Sequence, residues 1–151
     1  MSGQLRPEVV VGDPSGDHLS IRVLGRLHPR ADNFWDGNWL ATPIEATVGG
    51  FQGRVGASLR ADELQAFRDA LQGLHSALNG EAVLESMEKW LTLRVAATSR
   101  GRLEVQGTLL DRAGDGNQLI FKIEGLDQSF LPRIIDSLEE VNTFFPVLGS
   151  P

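Results

Sequence analysis

Cysteine is absent from this 151-residue chain. Without thiols there are no disulfides, no thiolate metal ligands and no cysteine nucleophile. Histidine is scarce: His18, His28 and His75 are the only ones, and none has a second histidine at metal-ligand spacing. No metal and no cofactor is expected. Ser15 lies among carboxylates in Asp13-Pro14-Ser15-Gly16-Asp17, but no Gly-x-Ser-x-Gly elbow surrounds it. No phosphate-cradling glycine pattern follows a strand and opens a helix. The glycine-rich stretch Asp111–Asn117 lacks the acidic spacing and closing glutamate of a calcium loop, and reads as a hairpin connection.

Long apolar runs are missing as well. Met1–Val11 carries Arg6 and Glu8 and is neither a signal peptide nor a membrane span, so a cytoplasmic location is expected. Positive charge is also in short supply, with 14 basic against 20 acidic side chains and a net charge of −6. The excess lies in residues 61–151, which hold eight basic and fourteen acidic groups. Nucleic-acid binding rests on phosphate neutralisation by Lys and Arg, so this balance argues against it. It suits solubility, or a basic protein partner.

What is present is mostly alternation. Val9–Val11 is a short apolar run closed by the Gly12–Asp17 turn cluster. In that cluster Asp13, Asp17 and His18 are either a weak cation site or ordinary turn polarity. Leu19–Leu27 alternates, with Leu19, Ile21, Val23, Gly25 and Leu27 on one face and Leu24 out of phase. His28–Asn38 reads as a long irregular loop. Trp39–Val48 is the next strand; Pro43 lacks an N–H, which places it at an edge or a bulge. Gly49-Gly50 predicts a two-residue hairpin turn, with Phe51, Gly53, Val55, Ala57 and Leu59 facing in on the return strand. Further strands are expected over Ala82–Met87, Leu91–Thr98, Leu103–Leu109 and Leu119–Glu124, with Ile120 on the wet face.

Two segments have helical period. Leu64, Phe67, Leu71, Leu74 and Leu78 form one stripe; Leu131, Ile134, Ile135, Leu138, Val141 and Phe145 form another. Pro132 fits the second helix only in its first turn. The expected fold is α+β: a curved antiparallel sheet or sandwich of about 7–8 strands, with two amphipathic helices on its apolar face. One domain is expected, with its compact core over about residues 7–146 and a tail at 147–151. Trp39-Leu40, Ala46-Thr47 and Gly50 recur 51 residues later as Trp90-Leu91, Ala97-Thr98 and Gly101. This echo is either a decayed duplication or two hairpins under one set of constraints.

Trp35-Asp36-Gly37-Asn38-Trp39 concentrates the unusual residues. Either it is a recognition surface built on exposed aromatics, or its tryptophans plug the end of the sandwich while Asp36 and Asn38 bond backbone groups. Asp32-x-x-Trp35-Asp36-x-Asn38-Trp39-Leu40, followed by a hairpin and Leu59-x-x-x-Glu63-Leu64-x-x-Phe67, resembles the WapI-type immunity proteins of bacteria. Arg60 departs from the pattern, standing where a Ser or Thr cap is expected. The resemblance implies a non-enzymatic binding protein that neutralises a protein toxin domain by masking its surface, with no catalytic residues to carry over. Trp35, Asp36, Asn38, Asp127, Asp136, Glu139 and Glu140 are the candidate partner-binding residues. The alternative is a small-ligand-binding or housekeeping domain with a pocket between sheet and helices. An enzyme would require Asp13, Asp17, His18 and Asp36 to converge in a cleft. A homodimer through an edge strand is compatible with the pattern.

Overall fold

The computed structural model describes residues 6–151. Nine strands form two antiparallel sheets, accompanied by three helices. The first sheet contains β1 (Glu8–Gly12), β2 (His18–Arg22), β3 (Gly25–Arg26), β4 (Trp39–Val48) and β5 (Phe51–Arg60). The second contains β6 (Glu81–Glu85), β7 (Leu91–Ala97), β8 (Arg102–Arg112) and β9 (Asp115–Asp127). Helix α1 (Phe34–Gly37) is a single turn, while α2 (Ala61–Ala77) and α3 (Leu131–Phe144) are long and amphipathic.

β2 and β3 are one interrupted strand. Both lie along the same side of β4, with Ile21 opposite Ile44 and Gly25 opposite Ala41. The register slips by one residue between them, and the out-of-phase Leu24 falls in that slip, 39% exposed. This break explains Pro43. β4 is central, not at an edge. The Ala41 carbonyl accepts from Leu24 on the β3 side, so by alternation the backbone nitrogen of Pro43 faces that side too. The missing N–H therefore meets the gap in the ladder.

Each half of the chain is a four-stranded meander followed by a helix. β1, β2/β3, β4, β5 and α2 make one unit; β6, β7, β8, β9 and α3 make the other. In this arrangement Trp39 opens the third strand of its unit, while Trp90 immediately precedes the second strand of the other. The 51-residue echo thus joins strands that are not equivalent.

The helical stripes close over the apolar faces of the sheets. Phe67, Leu71, Leu138 and Val141 are at most 1% exposed, and they join residues of both sheets in one core. Pro132 sits in the first turn of α3, as its missing N–H requires. Three side chains expected inside are outside. Leu78 leaves the α2 stripe because it adopts the left-handed C-cap conformation, φ 54°. Leu27 lies beyond the end of β3 and is exposed. Phe51 starts its strand at the hairpin tip, past the reach of the core, and is 69% exposed. The Gly49-Gly50 turn forms as expected, with Val48 opposite Phe51.

An aromatic loop held by two arginines

The stretch expected to be irregular holds a one-turn helix. Asn33 caps α1, its side-chain oxygen accepting from the Asp36 N–H at 2.7 Å. A four-residue helix leaves most of its carbonyls without intrahelical partners. Here two arginines from elsewhere in the chain supply them. Arg60, at the end of β5, donates to the carbonyls of Trp35 (2.9 Å) and Phe34 (2.7 Å). Arg26, in β3, donates to the carbonyl of Gly37 at 2.8 Å and to that of Pro146 at 2.6 Å.

Arg60 is fully buried, the largest side chain to be so. A buried cation is costly unless paired and fully hydrogen-bonded. Its Nε donates to Asp62 at 3.0 Å. Its guanidinium carbon lies 4.9 Å from the ring centres of Phe34 and Trp39, and 5.5 Å from that of Trp35. Three quadrupolar rings, a carboxylate and two carbonyls thus replace its water. The reason for the departure at the helix entry is now visible. A guanidinium has no acceptor and cannot cap α2 as a serine would. Only the reciprocal half of a capping box is made, from the Arg60 N–H to Glu63 at 2.9 Å. Glu63 also accepts the Met87 N–H, tying α2 to the loop after β6. Burial holds the Glu63 carboxyl above its ordinary range, against the lowering effect of those two backbone donors.

The candidate residues separate into two groups. Trp35 and Asp36 are exposed on α1, Trp35 by 54%. Trp35 meets Phe34 edge to face, at 5.0 Å between ring centres. Asn38 lies beneath them and is fully buried. Its amide nitrogen donates to the carbonyls of Phe34 (2.9 Å) and Leu148 (3.0 Å), and its oxygen accepts the Leu148 N–H at 2.9 Å. It therefore fastens residues after α3 to the aromatic loop. Gly37 allows this approach: a Cβ there would stand 2.9 Å from a Leu148 methyl.

The second group spans the start and body of α3. Asp127 caps the short turn before that helix, accepting from the Ser129 N–H at 2.8 Å; the Ser129 bonds hold its carboxyl below the usual range. Asp136 and Glu140 are exposed. Glu139 is paired with Arg68 of α2 and holds the two long helices together. Arg26 and Arg60 were not among the candidates. The signal for Arg60 was its own misfit as a helix cap behind an aromatic loop.

The residues that an enzyme would need do not converge. Asp13 accepts from the Ser15 N–H within its own turn, and Asp17 accepts from the Gly49 N–H, both at 2.9 Å. Asp17 therefore lies at the Val48 end of β4, while Asp36 precedes its Trp39 end. Ten residues of strand, roughly 30 Å, separate them. No cluster of three metal-ligating side chains occurs among the described residues. No helix among them is long and apolar enough to cross a membrane.

Two meanders roofed by helices, with a hydrogen-bonded aromatic turn at one end, define a small α+β protein. The sequence matches the model of the immunity protein WapI-like family over residues 10–146, nearly the whole chain. The chain belongs to that family. No curated protein matches the sequence.

Proposed function

We propose that this protein is a non-enzymatic antidote, acting in the cytoplasm, that neutralises a toxin domain by binding it and covering its active surface. The observation that supports this most is the presentation of Trp35. A tryptophan more than half exposed is held by an edge-to-face contact with Phe34 and by the buried Arg60 below it. An aromatic anchor ordered before binding loses little entropy on binding, and such residues dominate interface energetics. Asp36 beside it, and Asp136 and Glu140 on α3, supply negative charge for a basic partner.

The test is affinity capture from the native host followed by co-expression with the captured toxin domain. A specific basic protein bound with micromolar or better affinity, and rescue of poisoned cells, is the expected result. Trp35→Ala is expected to weaken that affinity by about 30-fold, the scale of a hot-spot residue, without loss of fold. Failure to rescue, or a co-purified metabolite in place of a protein, would overturn the reading.

A further inference from the structure

A second surface lies far from the aromatic loop. A groove of about 470 Å³ runs between the β4–β5 hairpin tip and β9. Five consecutive residues, Gln118 to Lys122, line it on the β9 side. Side chains alternate between the two faces of a strand, so a surface touching five in a row is the strand's edge, not a face. That edge is unpaired. Among the described residues, Gln118–Glu124 make no main-chain hydrogen bond outside the β8–β9 ladder. At 13 residues β9 is the longest strand, and every second residue turns a free N–H and C=O toward the groove.

The lining is mixed, with apolar side chains beside the charged Asp17 and Lys122. Among the described residues, Phe51 and Ile120 are the two most exposed large apolar side chains, each at 69%. Lys122 makes no ion pair among the described residues. Toward the hairpin tip, Asp17 accepts the Gly49 N–H with one carboxylate oxygen, and the other has no hydrogen-bond partner among the described residues. A second depression of about 260 Å³, lined by Phe51–Val55 and Asn117–Leu119, continues the groove along the β5 edge.

We propose that this groove takes an extended segment of the toxin polypeptide, which adds to β9 as a further strand. The occupant's backbone bonds to the free edge, an apolar residue packs on Ile120 and Phe51, and a carboxylate meets Lys122. The identity of the occupant rests on the toxin-binding reading above. A free segment fits better than a second copy. The β9 edge of a second copy carries its own hairpin tip alongside, and two such tips would have to share one groove. The register slip at Gly125, φ 81°, also ends straight pairing there and limits the edge to about the length of a short segment.

The test titrates the ¹⁵N-labelled full chain with a capped eight-residue peptide of alternating Val and Thr, one central Thr replaced by Glu. The expected result is saturable shifts confined to the amides of Gln118–Glu124 and Val48–Phe51, at a Kd below about 1 mM. Replacing the peptide's glutamate with lysine weakens binding by about 5-fold, and Lys122→Glu restores it. Proline at the peptide's central Val weakens it by at least about 10-fold, because an N–H is lost from the ladder. Shifts elsewhere, no saturation, or insensitivity to the charge exchange would sink the proposal. So would concentration-dependent self-association through the same amides. The two readings fail separately. If Ile120→Asp and Lys122→Glu rescue poisoned cells as well as the parent chain, the groove proposal falls and toxin binding stands. If the parent chain rescues no cell while the peptide binds, toxin binding falls and the groove remains a strand site.

Discussion

The guanidinium of Arg60 donates to the main-chain carbonyl of Phe34 at 2.7 Å, across 26 residues of sequence. The acceptor lies at the start of a one-turn helix and also receives the Asn38 amide, while the donor is fully buried among three aromatic rings. The carbonyls of Phe34 and Trp35 thus give the buried cation acceptors. The geometry of the aromatic loop therefore depends on a residue outside it.

Removing that cation should be expensive. Arg60→Ala leaves the Trp35 carbonyl and Asp62 without their donor, and is expected to lower stability by about 3 kcal/mol. Arg60→Lys keeps charge but loses the planar fork, and is expected to recover only part of the deficit. Denaturant unfolding gives the energies, and tryptophan emission shows whether the rings around position 60 have opened.

Asn38 makes three hydrogen bonds in a buried site, two of them to Leu148. Asn38→Ala is expected to cost about 2 kcal/mol. The more specific outcome is local: the Leu148 amide should lose its protection from hydrogen exchange while the amides of β7 and β8 keep theirs. Equal loss at both would show that the asparagine supports the whole fold and not this attachment.

Gly107 lies beneath the Phe121 ring. A Cβ at that position would stand 2.3 Å from the ring's Cζ atom, so the ring must move out of the core. Gly107→Ala is expected to destabilise by about 1–3 kcal/mol. Phe121→Leu in the same chain should return part of the loss. Additive penalties in a double-mutant cycle would show that the two residues do not share the space.

Glu63 links stability to pH. Its folded-state pKa is raised above the ordinary glutamate value, first by burial, so the native state binds this proton more tightly than the unfolded chain does. The contribution is fully present below the ordinary glutamate value and is lost as pH rises through the raised one. Glu63→Gln removes the titration and keeps an oxygen for the Arg60 N–H. The variant is expected to gain stability relative to the parent as pH climbs from about 4.5 toward neutrality. Asp111 and Asp127 are shifted the other way by hydrogen bonds, but both proteins carry them and they cancel in the difference. A constant offset across that range would contradict the assignment.

The regular elements were legible because their signals are periodic and local. The stripes of α2 and α3, Pro132 in a first turn and the Gly49-Gly50 hairpin follow from spacing alone. The misplaced side chains, Phe51, Leu27 and Leu78, share one feature. Each sits at or one step past the end of its element, where the periodicity still reads inward but no opposing layer remains. The aromatic loop was recognisable as unusual, yet its two arginine supports were not among its neighbours in sequence. Nothing in periodicity reports a contact between residues 26, 37 and 146, or between 34 and 60.

By itself the sequence determined the class of fold, the absence of thiol chemistry and the family. Those depend on local hydrophobic period, on composition and on a short motif. Only the tertiary structure decided that the strands divide into two meanders, that Trp35 is exposed while Asn38 is buried, and that β9 leaves an edge unpaired. The physical reason is that burial and edge pairing depend on the layer placed opposite. That partner is set by chain segments tens of residues away.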